Sequence, residues 1–409
     1  MLKGEDIICV SWLYWDEIPL VMHHMMTRLS AQNRILWVDP PFPLTLFLSH
    51  PELAGIHKEK LKKWWRGPNK VMNNFWVYYP PPLPVFYGRM KFFDRINQFY
   101  LSRIIKRLAV KLEFKNPILW LYHPYAILPN GEFNEKLVCY DCNDDMGAFF
   151  YRLSYQRQRL IDLETELIKK AHIVFTTSKN LYQSKKIFNP NTNYFPSGAD
   201  ISVFSQALLP TTEISDDMIN IQKPIVGFTG GIANDKMNWE WIEKAAHAHP
   251  EWSFVFIGPL QEKLSSRLKC LPNLYFLGKR PMEELPKYIK AFDVCIIPYK
   301  ESDFMKNSFP TKTFEYLAGG KPVVTSDIPA LREFEPLVQL CKNSEEFIVS
   351  IERSIKESGD IELQKKRYHV ASDHTWDARV EKTSSAIIKM IDNKIEQKSD
   401  KRLMIEEVI

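Results

Sequence analysis

The chain has 409 residues, 45% hydrophobic and 25% charged, with six cysteines and a formal net charge of +5. That length is large for one hydrophobic core and suits two domains of about 200 residues each, while the ordinary composition excludes a disordered chain. No apolar run approaches the roughly 20 residues of a membrane helix.

The charge is unevenly placed. Residues 58–115 carry 14 Lys/Arg against 3 Asp/Glu, a local +11, and everything else sums to −6. The amino terminus, M-L-K-G-E-D-I-I-C-V-S-W, places acids before a short apolar strand. That is unlike a signal peptide, so a cytoplasmic protein is expected.

In chain order, residues 6–11 (D-I-I-C-V-S) form a first buried strand, followed by an aromatic loop with Trp12, Tyr14 and Trp15, a helix near 19–31, and a second strand at 34–39. This βαβ opening predicts a parallel sheet. It lacks a G-x-G-x-x-G turn, which argues against a nicotinamide-binding domain. His23 and His24 are adjacent on the helix and cannot share a face, so packing explains them better than ligand duty.

Residues 58–70 combine cations with a tryptophan pair, and Lys62, Lys63, Trp64, Trp65 and Arg66 are the candidates for contact with an anionic membrane surface. The helical stretch 89–111 repeats the theme, with Arg89, Lys91, Arg95, Arg103, Lys106 and Arg107 among Phe92, Phe93, Phe99 and Tyr100. A plain solvated face and a polyanion site are the alternatives; no nucleic-acid-binding module accompanies the charge, so nucleic acid is not an expected partner.

The strand at 117–122 delivers His123, and the strand at 137–140 delivers Asp141, Asp144 and Asp145 within Y-D-C-N-D-D. Ligands of open α/β sheets bind beyond the carboxyl ends of strands, which makes His123, Asp144 and Asp145 catalytic candidates on the acceptor side. Capping of the helix near Met146 is the alternative for either aspartate. Cys139 and Cys142 have no second pair or histidine cluster beside them, so buried free thiols are expected and no zinc. The strand at 171–177 ends at Ser178, and residues 193–204 contain Gly198, expected to make a tight turn facing a cleft. Residues 205–223 lose periodicity and gain Pro, Thr and Asp, the composition of a linker.

A second alternation of strands and helices follows, with strands at 224–229, 252–258, 274–278 and 294–298. Gly230-Gly231 stands between the first of these strands and a helix near 237–248, where a glycine turn lets backbone approach a diphosphate. Lys236 is the nearest cation, and Tyr299 follows the last strand. Residues 310–325, P-T-K-T-F-E-Y-L-A-G-G-K-P-V-V-T, read as a helix start at Pro310-Thr311, a stop at Gly319-Gly320 and a buried strand. A phosphate over Thr311 and Lys312 and a ribose diol on Glu315, one turn on, together describe a nucleotide site. A capped amphipathic helix with a surface carboxylate is the competing reading.

At these residues the chain resembles the GT-B fold glycosyltransferases, family 4 (glycosyl transferases group 1) in particular, whose E-x7-E motif leads into a helix ending E-x-x-A-x-G-x-P-V-V. Glu315 falls on the second glutamate, which the resemblance implies binds the ribose of a nucleotide sugar; Asn307 stands where the family has the first. The Y-D-C-x-D-D stretch resembles transferases of envelope polysaccharides such as teichuronic acid or exopolysaccharide. Ser178 and Gly198 lie in segments similar to the family's A-D-x-V-x-x-x-S and P-N-G-V-D-x-x-x-F, and His374–Arg379 resembles the W-x-x-R element that leads a last helix back to the first domain.

The resemblance implies two doubly wound Rossmann-like domains facing each other across a cleft: an acceptor domain at 1–204, a linker at 205–223, a nucleotide-sugar domain at 224–375, and a returning helix and tail at 376–409. It implies transfer from a nucleotide-diphosphate sugar, UDP-sugar by preference, to a lipid-linked glycan, by an enzyme held at the inner face of the cell membrane. Family 4 implies retention, whereas an aspartate acting as general base would suit inversion. No D-x-D motif stands at a suitable strand end, so no metal and no cofactor beyond the co-substrate are expected. A non-catalytic scaffold of a polysaccharide assembly, kept open by Asn307, and a nucleotide-sugar epimerase of the same fold are the rival functions.

Overall fold

The computed structural model describes residues 1–17, 19–41, 54–83, 90–124, 131–150, 154–261 and 265–406. The chain divides into two units, one formed by Met1–Phe195 with Arg379–Ile409 and the other by Pro196–Ala378.

The first unit holds an eight-stranded sheet of β1 (Asp6–Val10), β2 (Arg34–Val38), β3 (Asn69–Met72), β4 (Phe75–Tyr78), β5 (Ile118–Leu121), β6 (Leu137–Cys142), β7 (Ile173–Thr176) and β8 (Thr192–Tyr194). The order is β3-β4-β2-β1-β5-β6-β7-β8, parallel except for the β3–β4 pair. Alternate residues feed two cores, as the twofold period of a strand requires. Ile8, Val10, Leu119, Leu121, Val138 and Tyr140 enter one. Ile7, Cys9, Trp37, Trp120, Cys139 and Phe175 enter the other, where Val380 and Ile387 of the final helix, Trp376–Glu406, cover them.

The second unit holds β9 (Ile225–Thr229), β10 (Ser253–Ile257), β11 (Leu274–Gly278), β12 (Val294–Ile297), β13 (Val323–Ser326) and β14 (Val338–Cys341). All its pairs are parallel, in the order β11-β10-β9-β12-β13-β14. Residues 205–223, expected as a linker, contribute Ala207 and Met218 to the core of this unit through two short 3-10 turns.

In each sheet the strand order reverses once, between β1 and β5 and between β9 and β12. Those reversals open a crevice at the carboxyl ends of the strands, the usual ligand position of open α/β sheets. The first puts the Ser11–Trp15 loop beside His123, and the second puts Gly230-Gly231 beside Tyr299.

Candidate functional site

At the second reversal, β9 runs out at Thr229 into Gly230, whose φ of 126° lies in a region that side chains rarely adopt. A Cβ there would stand 3.0 Å from the Lys312 ammonium, so the turn is both bent and crowded. The chain beyond is tied to the segment after β12: Lys300 N–H donates to the Lys236 carbonyl at 2.8 Å and Asn238 N–H to the Pro298 carbonyl at 2.7 Å. This pinning sets the Lys236 ammonium 4.4 Å from the centre of the Tyr299 ring. Lys312 donates to the Tyr299 hydroxyl at 2.6 Å from the other element. Tyr299 is only 2% exposed. Burial pushes its phenol up, yet the two ammonium groups outweigh burial and hold it below the usual tyrosine value. Among the described residues neither Lys236 nor Lys312 is ion-paired with a carboxylate. Two cations meeting on a buried phenol make a site of positive potential suited to an anion.

The helix Lys312–Ala318 is fixed by its Tyr316, whose hydroxyl accepts from Thr229 N–H at 2.8 Å. Its amino end spends two N–H groups on itself, Thr313 to the Pro310 carbonyl at 3.1 Å and Phe314 to the Thr311 carbonyl at 3.0 Å. Thr311 makes no side-chain cap, so anion-binding capacity here comes chiefly from Lys312. Glu315 is half-buried. Burial lifts its carboxyl to about 7, with Lys312 pulling the other way and Asp200 adding to the rise. A carboxylate poised near neutrality one turn from a cation pair matches a ribose diol next to a diphosphate.

In the first unit His123 follows β5 and is 9% exposed; burial alone pushes its imidazole down to about 3, so it is neutral at physiological pH. Asp141 is not beyond the strand, as the sequence reading had it, because β6 runs on to Cys142. It is fully buried and accepts from Arg379 Nη2 at 3.0 Å and Trp120 Nε1 at 3.3 Å, a structural ion pair on the final helix. Asp145 accepts from Ala148 N–H at 3.0 Å and caps the helix Met146–Phe150, the alternative weighed for it. Asp144 is half-buried beside it, and its carbonyl accepts from Cys142 Sγ. Ser178 accepts from Leu181 N–H at 3.3 Å and caps the helix Lys179–Lys186.

Gly198, in the second unit, does not supply a left-handed turn. A Cβ on it would stand 2.6 Å from the Thr375 carbonyl carbon and the Trp376 nitrogen, so close passage of two backbones is what demands glycine. The six cysteines are unpaired, Cys139 and Cys142 among the buried ones. Among the described residues no group of three or more His, Cys, Asp or Glu side chains could hold a metal ion.

Residues 223–357 match the family model described as glycosyl transferases group 1. Over 275 residues the chain is 28% identical to Bacillus subtilis (strain 168) TuaH, named as a glycosyltransferase of teichuronic acid biosynthesis, covering 63% of this chain and 68% of that protein. The chain has the GT-B fold, and residues 223–357 are similar to the glycosyl transferases group 1. The chain superposes on Anabaena Alr3699/HepE, solved in complex with UDP, with a TM-score of 0.64 at 13% identity, over 94% of this chain and 100% of that one. It superposes equally on the Burkholderia multivorans α,α-trehalose 6-phosphate synthase, TM-score 0.64 at 10% identity, over 98% of both chains.

The structure joins Lys236 and Lys312 through Tyr299, with Gly231 following the Gly230 turn that meets Lys312, and Pro310, Thr311 and Glu315 on the segment that carries Lys312. Asn307 ends the short helix Asp303–Asn307, where its side chain donates to the Asp303 carbonyl at 3.4 Å. Sequence reasoning missed Asp200, whose charge reaches Glu315; it is the aspartate two positions after Gly198 in a motif already singled out. It also missed Asn143, 8% exposed between Cys142 and Asp144, whose amide nitrogen and oxygen are buried with no hydrogen bond while its carbonyl is held by the Thr177 hydroxyl.

On the surface patch, Lys62 pairs with Glu59, Lys63 is drawn onto Asp16 and Tyr79, and Trp64 packs half-buried on the core. Trp65, 83% exposed, and Arg66 remain outward. Arg89 lies outside the described residues. No described helix is long and apolar enough to cross a membrane.

Proposed function

We propose that this glycosyltransferase takes its sugar from a UDP-sugar held on the second unit and passes it to a lipid-linked glycan of the cell envelope. The observation that carries the reading is the convergence of Lys236 and Lys312 on Tyr299, with Glu315 one turn further along. The diphosphate takes the two cations, Gly231 lets its oxygens come close, and Glu315 accepts from the ribose hydroxyls. The UDP complex of HepE and the teichuronic acid name of TuaH support the donor and the acceptor class.

In the reaction an acceptor hydroxyl oxygen bonds to the anomeric carbon as the bond from that carbon to the diphosphate oxygen breaks. UDP departs with the electron pair, and the hydroxyl proton goes to the departing phosphate oxygen, which keeps both groups on one sugar face and gives retention. A neutral His123 serves this scheme as a hydrogen-bonding group rather than a strong base. The leaving charge falls on lysines, so we propose a metal-independent enzyme working at the cytoplasmic membrane surface.

The test is thermal unfolding with UDP and UDP-glucose, with and without a chelator. A ligand at 100 times its dissociation constant contributes about 2.7 kcal/mol, a clear rise in Tm. The rise should persist in the chelator and shrink to half or less in Lys312→Ala and Glu315→Ala. No rise in the parent protein would sink the donor assignment and leave the scaffold reading.

A further inference from the structure

The helix Lys91–Lys111 turns an apolar stripe to water although its inward face is partly polar. That face joins Leu101, Ile105 and Ala109, which pack in the core, with Asp94, Asn97, Gln98 and Ser102, each at most 4% exposed. The Asp94 carboxylate pairs with Arg159 Nε at 3.0 Å, and the side-chain nitrogens of Asn97 and Gln98 are buried without a hydrogen bond. Its outward face carries Phe92 at 68% exposure, Ile96 at 42%, Phe99 at 52% and Tyr100 at 41%. At 100° per residue these four fall within one stripe, and Arg103, Lys106 and Arg107 continue it toward the carboxyl end.

Those three cations and Val110 line a shallow depression of about 300 Å³. The Arg103 guanidinium lies 4.8 Å over the Phe99 ring, joining the aromatic and cationic halves. Arg95 leaves the stripe and clamps both oxygens of Glu166 at 2.8 Å, fastening the helix to its neighbour Ser154–Lys170. An apolar face turned to water while polar groups are buried costs free energy, and an external apolar phase with negative charge offsets that cost.

We infer that this helix, more than the Trp64-Trp65 segment, is the surface that docks on an anionic phospholipid bilayer. Phe92, Ile96, Phe99 and Tyr100 enter the head-group boundary, and Arg103, Lys106 and Arg107 hold lipid phosphates. The inference rests on the reading of the acceptor as lipid-linked and names the surface that brings the enzyme to it.

The test is co-sedimentation of the full chain with phosphatidylcholine vesicles containing roughly one phosphatidylglycerol in three, and with phosphatidylcholine alone. Anionic vesicles should bind at least about tenfold more tightly, and high salt should weaken them. Phe92→Ser/Phe99→Ser and Arg103→Glu/Lys106→Glu/Arg107→Glu should each lower partition by roughly tenfold or more, with Tm nearly unchanged because the positions are exposed. Trp65→Ser should lower it less than about twofold.

The inference is overturned if the parent protein ignores anionic vesicles, if the phenylalanine variant binds as before, or if Trp65→Ser alone abolishes binding. Capture by soluble heparin without vesicle binding would also overturn it, in favour of a polyanion site. The UDP-induced rise in Tm, measured on the same variants, should not move. A UDP response without vesicle binding sinks the docking alone, whereas vesicle binding without a UDP response sinks the donor assignment alone.

Discussion

The buried charges of the first unit and the crevice lysines of the second are handled in opposite ways. In the first, buried charges are closed into pairs: Asp141 with Arg379 at 3.0 Å, Asp94 with Arg159 at 3.0 Å and, beside them, Glu164 with Lys185 at 2.7 Å. In the second, Lys236 and Lys312 press on the neutral oxygen and ring of Tyr299, while Glu315, one turn beyond Lys312, is lifted toward its protonated form. Closed pairs hold a fold together, and an open cationic pair beside a half-protonated acid waits for something the chain does not supply.

The contrast can be broken most forcefully at Arg379. Arg379→Met leaves Asp141 buried and uncompensated, and should cost about 3–5 kcal/mol, seen as an early denaturant transition. Lys312→Ala is the matching change in the second unit. It should leave the denaturation midpoint within about 1 kcal/mol of the parent, yet weaken UDP binding by about 1.5–3 kcal/mol, measured by calorimetry. A large loss of stability there would mean that this lysine too is structural.

A third change sharpens the comparison through pH. Glu315 has a folded value near 7, above its unfolded value, so the folded state keeps the proton longer. Its contribution to stability is therefore complete below the ordinary glutamate range and is lost as pH rises through 7. Glu315→Gln should remove about 1–2 kcal/mol of that slope, read from midpoints between mildly acidic and mildly alkaline buffers. UDP affinity should run the opposite way, falling in acid as the carboxylate that accepts the ribose hydroxyls disappears, and Glu315→Gln should flatten it.

The smallest effect belongs to Asn143. Replacing its unpaired amide by Leu should be neutral or stabilising by up to about 1 kcal/mol in thermal unfolding. A marked loss would show that the amide is satisfied in solution.

Much of this was legible in the sequence. The run I-V-G-F-T before Gly230-Gly231, and the helix signal at Pro310-Thr311 ahead of Val323-Val324, located the second crevice because glycine, proline and β-branched residues act locally. Three kinds of feature were not legible. Short strands such as β3, β4 and β14 carry too few residues for a period to register. Asp145 and Ser178 are residue types that serve equally as caps and as chemistry, and only hydrogen-bond geometry separates the two. The pairing of Asp141 with Arg379 joins positions 238 residues apart, and the influence of Asp200 on Glu315 likewise crosses most of a domain.

The phenol of Tyr299 doubles as a gauge. Its acidity is set by the two ammonium groups around it, so any anion that draws their charge away must make the ring harder to ionise. Occupancy of the crevice is thereby written into the alkaline tyrosinate absorbance of one side chain, and a Tyr299→Phe difference spectrum would read it without a label.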